Sequence, residues 1–198
     1  MRTRAELRRE LRRRRAALSL KARAHASQRI AQRVARTGWL RPGRGVGLYF
    51  SVGTEADTAP LRRLAAQRGC EVYLPRITSY AARRMLFRRD GGRYRPNRLR
   101  IPEPTAGPMR APRRLDIVFV PLTGFSDQGY RLGVGGGFYD RLFAYRHHGT
   151  WRRPLLVGIG FDCQRTAELI PQAHDVPLDL AVTESGVHDW RRGRGQRN

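Results

Sequence analysis

A glycine-rich loop, GYRLGVGGGFYDR at residues 129–141, most constrains what this chain can fold into. The apolar run at residues 115–120 precedes it and predicts a buried strand, which Pro121 ends, and the residues after Gly137 predict the start of a helix. Glycines let backbone N–H groups approach an oxyanion closely, and a helix N-terminus adds positive potential. The loop therefore predicts a site for a phosphate or a nucleotide, with a purely structural tight turn as the alternative.

Charged side chains lie within the same loop, and two common phosphate-binding loops are excluded. Arg131 can add positive charge to a phosphate, and Asp140 carries the oxygen ligands that Mg²⁺ prefers. A Walker loop needs Gly-Lys-Ser/Thr after its glycines, whereas Phe-Tyr-Asp follows here and Lys21 is the only lysine. The dinucleotide-binding fingerprint needs glycine at its sixth place, which, counted from Gly133, is Phe138.

Composition narrows the class of protein. The 198 residues, 40% of them hydrophobic, suffice for one domain with a real core. No apolar run approaches the roughly 20 residues of a membrane helix, the N-terminus lacks the apolar segment of a secretory signal, and the two cysteines favour a reduced, cytoplasmic location. The net charge of +24 suggests a nucleic-acid partner, but the basic residues are spread along the chain without interleaved aromatic residues. No specific nucleic-acid partner and no membrane attachment are therefore expected.

The rest of the chain alternates predicted helices and strands. Thr3-Arg-Ala-Glu6 has the form of a capping box, and Ser19 is a plausible N-cap for a second helix. Further strands are predicted at 45–50, 71–75, 85–89, 154–160 and within 177–183. Short helices are predicted at 60–67 and 164–170, and a long ordered loop is predicted at 95–114. This order favours an α/β fold with a mainly parallel sheet and helices on both faces, as a single domain at 1–190 followed by a basic flexible tail at 191–198.

An acidic loop follows the strand predicted at 45–50. In an open α/β sheet, ligands bind beyond the carboxyl ends of the strands, so Glu55 and Asp57 lie where a carboxylate could accept substrate N–H groups. Asp57 or Thr58 could instead cap the next helix. Glu55 lies outside that cap and is the better candidate. His174-Asp175 is interpreted as a structural pair.

Residues 121–141, PLTGFSDQGYRLGVGGGFYDR, resemble the signature of the 5-formyltetrahydrofolate cyclo-ligases, also called methenyltetrahydrofolate synthetases. The basic N-terminal helix ending at Ser19, the TEADT loop at 54–58 and the IPEP stretch at 101–104 follow the same family's order, so the resemblance covers about residues 3–185. It implies a three-layer α/β fold related to the CoA-transferase and ribose-phosphate isomerase group. It also implies ATP- and Mg²⁺-dependent closure of 5-formyltetrahydrofolate to 5,10-methenyltetrahydrofolate, with release of ADP and phosphate.

The resemblance also implies roles for individual residues. The expected ATP-binding residues come from the basic helix and the glycine loop: Arg4, Arg8, Arg131, Gly133, Val134, Gly135, Gly136, Gly137, Phe138, Tyr139, Asp140 and Arg141. The expected substrate-binding residues are Phe50, Glu55, Phe138 and Tyr139, and the expected catalytic residues are Arg131, Tyr139 and Asp140, with Asp140 also a Mg²⁺ ligand. Some members have a basic residue where this chain has Val134.

Partners and alternatives follow from the same resemblance. The expected substrate is 5-formyltetrahydrofolate, with or without a polyglutamate tail, and the expected state is a monomer. One alternative is a nucleic-acid-binding protein on the same fold without ligase activity. Another is an isomerase or transferase acting on a sugar phosphate, for which Glu55 is the only good acid/base candidate.

Overall fold

The computed structural model describes residues 2–148 and 153–191. Within these ranges the helices are α1 (Arg4–Ala17), α2 (Leu20–Ala35), α3 (Ala59–Gln67) and α4 (Phe138–Phe143). The strands are β1 (Gly45–Gly47), β2 (Glu71–Ser79), β3 (Arg84–Arg89), β4 (Tyr94–Pro96), β5 (Pro102–Pro104), β6 (Met109–Arg110), β7 (Ile117–Pro121), β8 (Gly124–Phe125), β9 (Arg131–Leu132), β10 (Leu155–Ile159), β11 (Leu180–Val182) and β12 (Val187–Asp189). The predicted flexible tail lies outside the described residues, apart from Arg191.

The main sheet has eight strands in the order β12-β11-β10-β7-β1-β2-β3-β6. Its five central strands, from β11 to β2, pair in parallel, whereas β12 at one edge and β3 and β6 at the other pair antiparallel. Val46 of β1 lies opposite Ile117 of β7, and Val118 of β7 lies opposite Leu156 of β10. These central residues are buried, which is typical of parallel strands covered on both faces.

Helices cover both faces of this sheet. Ile30 and Val34 of α2 and Leu61 of α3 pack in one core cluster with side chains from the sheet. Phe143 of α4 packs on the opposite face, in a second cluster that contains Val118. The predicted three-layer α/β architecture with a mainly parallel sheet is therefore confirmed.

Helix α1 lies over the loops that leave the carboxyl ends of β7 and β10. Its predicted capping box is present, because Thr3 and Glu6 exchange side-chain and backbone hydrogen bonds. Leu7 and Leu11 are buried, and Leu11 lies so close to Gly124 that a Cβ at residue 124 would be 2.3 Å from Leu11 Cδ1. This packing brings the arginines of α1 to the edge of the sheet where α/β proteins bind ligands.

The second and third helices also begin where the sequence indicates. The Ser19 side chain accepts a hydrogen bond from the Ala22 N–H at the start of α2. At the start of α3, Asp57 Oδ1 accepts a hydrogen bond from the Ala59 N–H at 2.9 Å. The Asp57 carboxylate therefore already serves as a hydrogen-bond acceptor at the start of α3.

Strand β2 does not end at Pro75 as predicted but continues to Ser79. The Tyr73 C=O accepts a hydrogen bond from the Leu48 N–H on the β1 side, and Pro75, two residues later, faces the same side. Strand β1 pairs with β2 only as far as Tyr73, so the missing N–H of Pro75 costs no ladder hydrogen bond.

The structure also departs from the sequence interpretation at other places. The helix predicted at 164–170 is wrong, because only a single 3-10 turn forms, at Asp162–Gln164. Strand β12, which follows β11, and the β8–β9 pair, which lies between β7 and the glycines, were not predicted. The long loop predicted at 95–114 contains β5 and β6, and β5 pairs with β4 in a small hairpin that is separate from the main sheet.

Candidate active site

A cleft of about 750 Å³ opens at the carboxyl ends of the central strands. Its walls come from α1, the loop after β1, the glycine loop, α4, the β4–β5 hairpin and the segment before β11. Every residue that the sequence proposed for the site lines this one cleft: Arg4, Arg8, Phe50, Glu55, Arg131, Gly133, Val134, Gly135, Gly136, Gly137, Phe138, Tyr139, Asp140 and Arg141.

The glycine loop is held against α1 through its carbonyl groups. Arg8 Nε donates a hydrogen bond to the Gly133 C=O at 2.9 Å, and Arg12 Nη2 donates one to the Val134 C=O at 3.3 Å. Gly135 and Gly137 have φ values of +111° and +68°, which side chains other than glycine adopt only with strain. The loop conformation therefore requires glycine at these two positions.

Arg131 is fixed within the wall of the cleft. Its side chain is 3% exposed, and its Nη2 lies 3.0 Å from Asp140 Oδ1. Arg131 Nη1 donates a hydrogen bond to the Val176 C=O at 3.2 Å, and the Val176 N–H donates one to Asp140 Oδ1 at 3.3 Å. This network ties the glycine loop and α4 to the segment before β11.

Arg4 is held by the carboxylate of Asp175, which lies in the segment before β11. Its two terminal nitrogens contact Asp175 at 2.6 Å and 3.1 Å, a bidentate geometry that makes a strong pair. Asp175 is buried, whereas the His174 side chain is exposed, with its Nε2 4.0 Å from Asp175 Oδ1. His174 and Asp175 were interpreted as a structural pair, and the closer partner of Asp175 is Arg4; both Arg4 and Asp175 line the cleft.

Glu55 lines the cleft from the loop after β1. Burial raises the pKa of its carboxyl group, although a hydrogen bond from the Val52 N–H and the charges of Arg15 and Arg12 act in the opposite direction. Whereas Asp57 accepts a hydrogen bond from the Ala59 N–H at the start of α3, Glu55 accepts one from the Val52 N–H within its own loop. Its carboxylate is available to a ligand in the cleft.

Aromatic side chains form much of the remaining surface. Phe50 meets Tyr94 edge-on with ring centroids 5.0 Å apart, and the Arg62 guanidinium lies 5.0 Å from the Phe50 ring centroid. Burial also raises the pKa of Tyr139, against the opposing charge of Arg131, so this phenol remains protonated across the neutral range. A planar, partly apolar ligand suits this wall.

Several residues that line the cleft were not among the site residues that the sequence predicted. Tyr49, Arg12, Arg15, Ile77, Met85, Leu99, Ile101, Glu103 and Asp175 also line it. A signal was available for Arg15, because it follows Leu7 and Leu11 at four-residue spacing and so belongs to the buried face of α1. Ile101 and Glu103 lie in the IPEP stretch that follows the family's order, whereas Ile77 of β2 and Met85 of β3 carried no signal, because only tertiary packing brings them to the cleft.

The donor set fits a metal ion that is shared with a nucleotide. Mg²⁺ in such sites is bound through one or two carboxylates plus substrate phosphates. Asp140 and Asp175 both line the cleft, and Val176 links them. No group of three or more His, Cys, Asp or Glu side chains forms a metal site within residues 2–148 and 153–191.

In the same ranges, the helices are too short or too polar to cross a membrane.

The fold and the cleft define an α/β enzyme that binds its ligands beyond the carboxyl ends of parallel strands. Its cleft combines a glycine loop, a row of arginines and an aromatic wall. The chain belongs to the 5-formyltetrahydrofolate cyclo-ligase family, whose model matches residues 1–184. The family and the enzyme class that the glycine-loop motif indicated are thereby confirmed.

Individual relatives agree with this assignment. The 5-formyltetrahydrofolate cyclo-ligase of Escherichia coli (strain K12) is 35% identical over 189 residues, which are 91% of this chain and 100% of the relative. That of Haemophilus influenzae is 32% identical over 186 residues, 90% and 97% of the two chains. The NMR structure of Aquifex aeolicus 5,10-methenyltetrahydrofolate synthetase superimposes with a TM-score of 0.83 at 28% identity, covering 98% of this chain and 96% of the other.

Proposed function

We propose that this enzyme closes 5-formyltetrahydrofolate to 5,10-methenyltetrahydrofolate, consuming ATP in the presence of Mg²⁺ and releasing ADP and phosphate. One observation carries the proposal. A single cleft combines a cationic wall, built by Arg4 and Arg8 of α1 and the glycine loop, with Glu55 and aromatic side chains. The first suits a triphosphate, and the second suits the pterin ring of a folate.

The cationic wall supports binding of the triphosphate. Arg4, Arg8 and Arg131 line the cleft beside the glycine loop, and Arg8 is hydrogen-bonded to that loop. Arginine donors and loop N–H groups would spread the negative charge of the transferring phosphoryl group. Asp140 and Asp175 would hold Mg²⁺ together with the phosphates. When bound, the ion neutralises developing charge on the phosphate oxygens.

Glu55 and the aromatic side chains of the cleft support binding of the folate. A carboxylate accepts hydrogen bonds from adjacent ring N–H groups, which is the chemistry we assign to Glu55. Phe50, Phe138 and Tyr139 would contact the planar rings. The Arg62 guanidinium over Phe50 and the Tyr94 ring at its edge keep that aromatic side chain in place.

The chemistry requires alignment more than proton transfer. The formyl oxygen is a poor leaving group, and its attack on the γ-phosphate of ATP makes it a good one and releases ADP. The folate N10 then attacks the activated carbon and loses its proton, and phosphate leaves. The residues of the cleft would act by holding the formyl oxygen in line with the γ-phosphate and by excluding water.

We further infer that one domain, residues 1–190, carries the whole site as a monomer. The walls of the cleft run from Arg4 to Asp175, so a single chain supplies every element of it. The substrate class is 5-formyltetrahydrofolate, with or without additional glutamate residues.

The direct test is to mix the purified protein with 5-formyltetrahydrofolate, Mg²⁺ and ATP and to follow the absorbance of the methenyl product. We expect a signal that requires ATP, that a non-hydrolysable ATP analogue does not support, and that Asp140→Ala abolishes. Asp127→Asn, at an exposed ion pair with Arg165, is the matched control and should retain activity. A folded protein that binds ATP but gives no methenyl signal would overturn the proposed reaction.

A further inference from the structure

Arg15 is a buried arginine on the wall of the cleft that has no carboxylate partner in the described part of the chain. It is 7% exposed, and its one side-chain hydrogen bond to another described residue runs from Nε to Thr54 Oγ1 at 2.9 Å. By contrast, Arg4 and Arg131 each form an ion pair with an aspartate. A guanidinium carries five N–H donors, so the two terminal amino groups of Arg15 can serve a ligand.

A buried and unpaired guanidinium is costly, so its position calls for a functional explanation. Burial lowers the pKa of Arg15, and the Glu55 carboxylate is the main influence that opposes this effect. Thr54, which receives the Nε hydrogen bond, immediately precedes Glu55. The chain therefore sets a cationic donor beside an anionic acceptor on one wall of the cleft.

The pyrimidinone edge of a pterin matches such a pair. Its 2-amino group and N3–H are adjacent donors, and the 4-carbonyl next to them is an acceptor. A carboxylate can accept from both donors, but the carbonyl needs a donor of its own. An arginine beside the carboxylate supplies one.

We propose that Arg15 donates a hydrogen bond to the 4-carbonyl of the pterin, so that Glu55 and Arg15 together make the site specific for 4-oxopteridines. This inference rests on the proposed function, which assigns Glu55 to the ring. Arg15 is then a specificity-determining residue that acts on the substrate edge remote from the formyl group. A 4-amino group would present N–H groups to the guanidinium and would be rejected.

The test compares binding of 5-formyltetrahydrofolate with that of its 4-amino analogue, by calorimetry without ATP. The wild-type protein should bind the 4-oxo compound about tenfold or more tightly than the 4-amino compound, since hydrogen bonds to a charged group are among the stronger hydrogen bonds in proteins. In Arg15→Met that ratio should fall toward one. Arg13→Met is the control, because Arg13 is exposed and paired with Glu10 on the same helix, and it should leave the ratio unchanged.

Other outcomes overturn the inference. A folded Arg15→Met protein that binds both compounds more weakly by the same factor would show a merely structural arginine. Should Arg15→Met fail to fold, Arg15→Gln keeps a polar end at the buried position, and an unchanged ratio there would have the same meaning. A wild-type protein that binds the 4-oxo and 4-amino compounds equally well would overturn the role of Arg15 but not the proposed function. A wild-type protein that binds neither compound would overturn the proposed function as well.

Discussion

Arg131 and Asp140 form an ion pair, 3.0 Å from Nη2 to Oδ1, that joins the two ends of the glycine loop. Arg131 belongs to β9, which precedes residues 133–137 of the loop, and Asp140 belongs to the first turn of α4, which follows them. The five residues at 133–137 are thus held at both ends, and α1 holds their carbonyls from the side. Three elements, β9, α4 and α1, therefore restrain the conformation of the loop.

Asp140→Asn should therefore lower both stability and activity. The change leaves the buried guanidinium of Arg131 without a counter-charge, which should cost about 1–3 kcal/mol in the free energy of unfolding. Release of the loop should reduce ATP-dependent cyclisation by about 10²-fold. Urea denaturation and the methenyl absorbance measure the two effects. Asp127→Asn should cost less than about 1 kcal/mol, and equal losses in the two variants would contradict the prediction.

Gly137→Ala and Gly133→Ala should separate the folding role of the loop from its binding role. Gly137 has φ +68°, and a Cβ there would lie 3.4 Å from Arg83 Nη1, so alanine should cost about 1–2 kcal/mol. A Cβ at Gly133 would meet nothing within 4 Å, so alanine there should leave stability unchanged. If loop N–H groups bind phosphate, Gly133→Ala should still raise the KM for ATP. An unchanged KM in this variant would argue against that contact.

Gly124→Ala tests whether α1 belongs to the ATP site. The added methyl group would collide with Leu11 of α1 and should cost about 1–3 kcal/mol in stability. Because α1 carries Arg4 and Arg8, its displacement should also raise the KM for ATP. Gly186→Ala is the control, since a Cβ there meets nothing within 4 Å. A destabilised Gly124→Ala protein with a normal KM for ATP would remove α1 from the binding site.

The affinity for folate should depend on the ionisation of Glu55. Burial raises the pKa of this carboxyl group above its ordinary value of 4.5, although Arg15 and Arg12 act against the shift. Only the ionised form accepts two N–H hydrogen bonds, so the KM for folate should rise as pH falls through the raised pKa, sooner than for an ordinary glutamate. Glu55→Gln should have a high KM for folate without this pH dependence, and Glu168→Gln should behave like wild type.

The same shift predicts an opposite effect on stability. A raised pKa means that ionised Glu55 destabilises the folded state, and that this cost is relieved as pH falls through the folded-state pKa toward 4.5. Glu55→Gln should therefore melt at a higher temperature than wild type at pH 7, and the advantage should shrink near pH 4.5. Thermal melts at both pH values measure this difference. A variant less stable than wild type at pH 7 would contradict the prediction.

Much of the site could be predicted because its residues lie in local patterns. The glycine loop follows the buried strand β7 and precedes α4 along the chain, and periodicity predicted both of these elements, although the β8–β9 pair lies between β7 and the glycines. The capping box at Thr3 and the acidic loop at Glu55 were likewise readable from short spacings. The choice of Glu55 over Asp57 was possible because Asp57 stands where a helix cap is expected, and the Ala59 N–H occupies it.

Contacts between distant residues could not be predicted in this way. Arg4 and Asp175 are 171 positions apart, and no local pattern links them. Gln164 is buried with its amide donating to the carbonyls of Leu122 and Thr123, and these hydrogen bonds replace the helix that local propensity favoured. A side-chain partner in space outweighs a weak helical preference.

By itself, the sequence determined the succession of the main helices and of the central strands, the position of the glycine loop and the family, because these depend on periodicity, capping and motif spacing. The tertiary structure alone decided that Arg4 and Arg131 each pair with an aspartate, that β2 continues beyond Pro75, and that Arg15 lies near Glu55 without a carboxylate partner among the described residues. The physical reason is that ion pairs, burial and ladder hydrogen bonds depend on neighbours in space. Sequence periodicity indicates which face of an element is buried, but not what lies opposite that face.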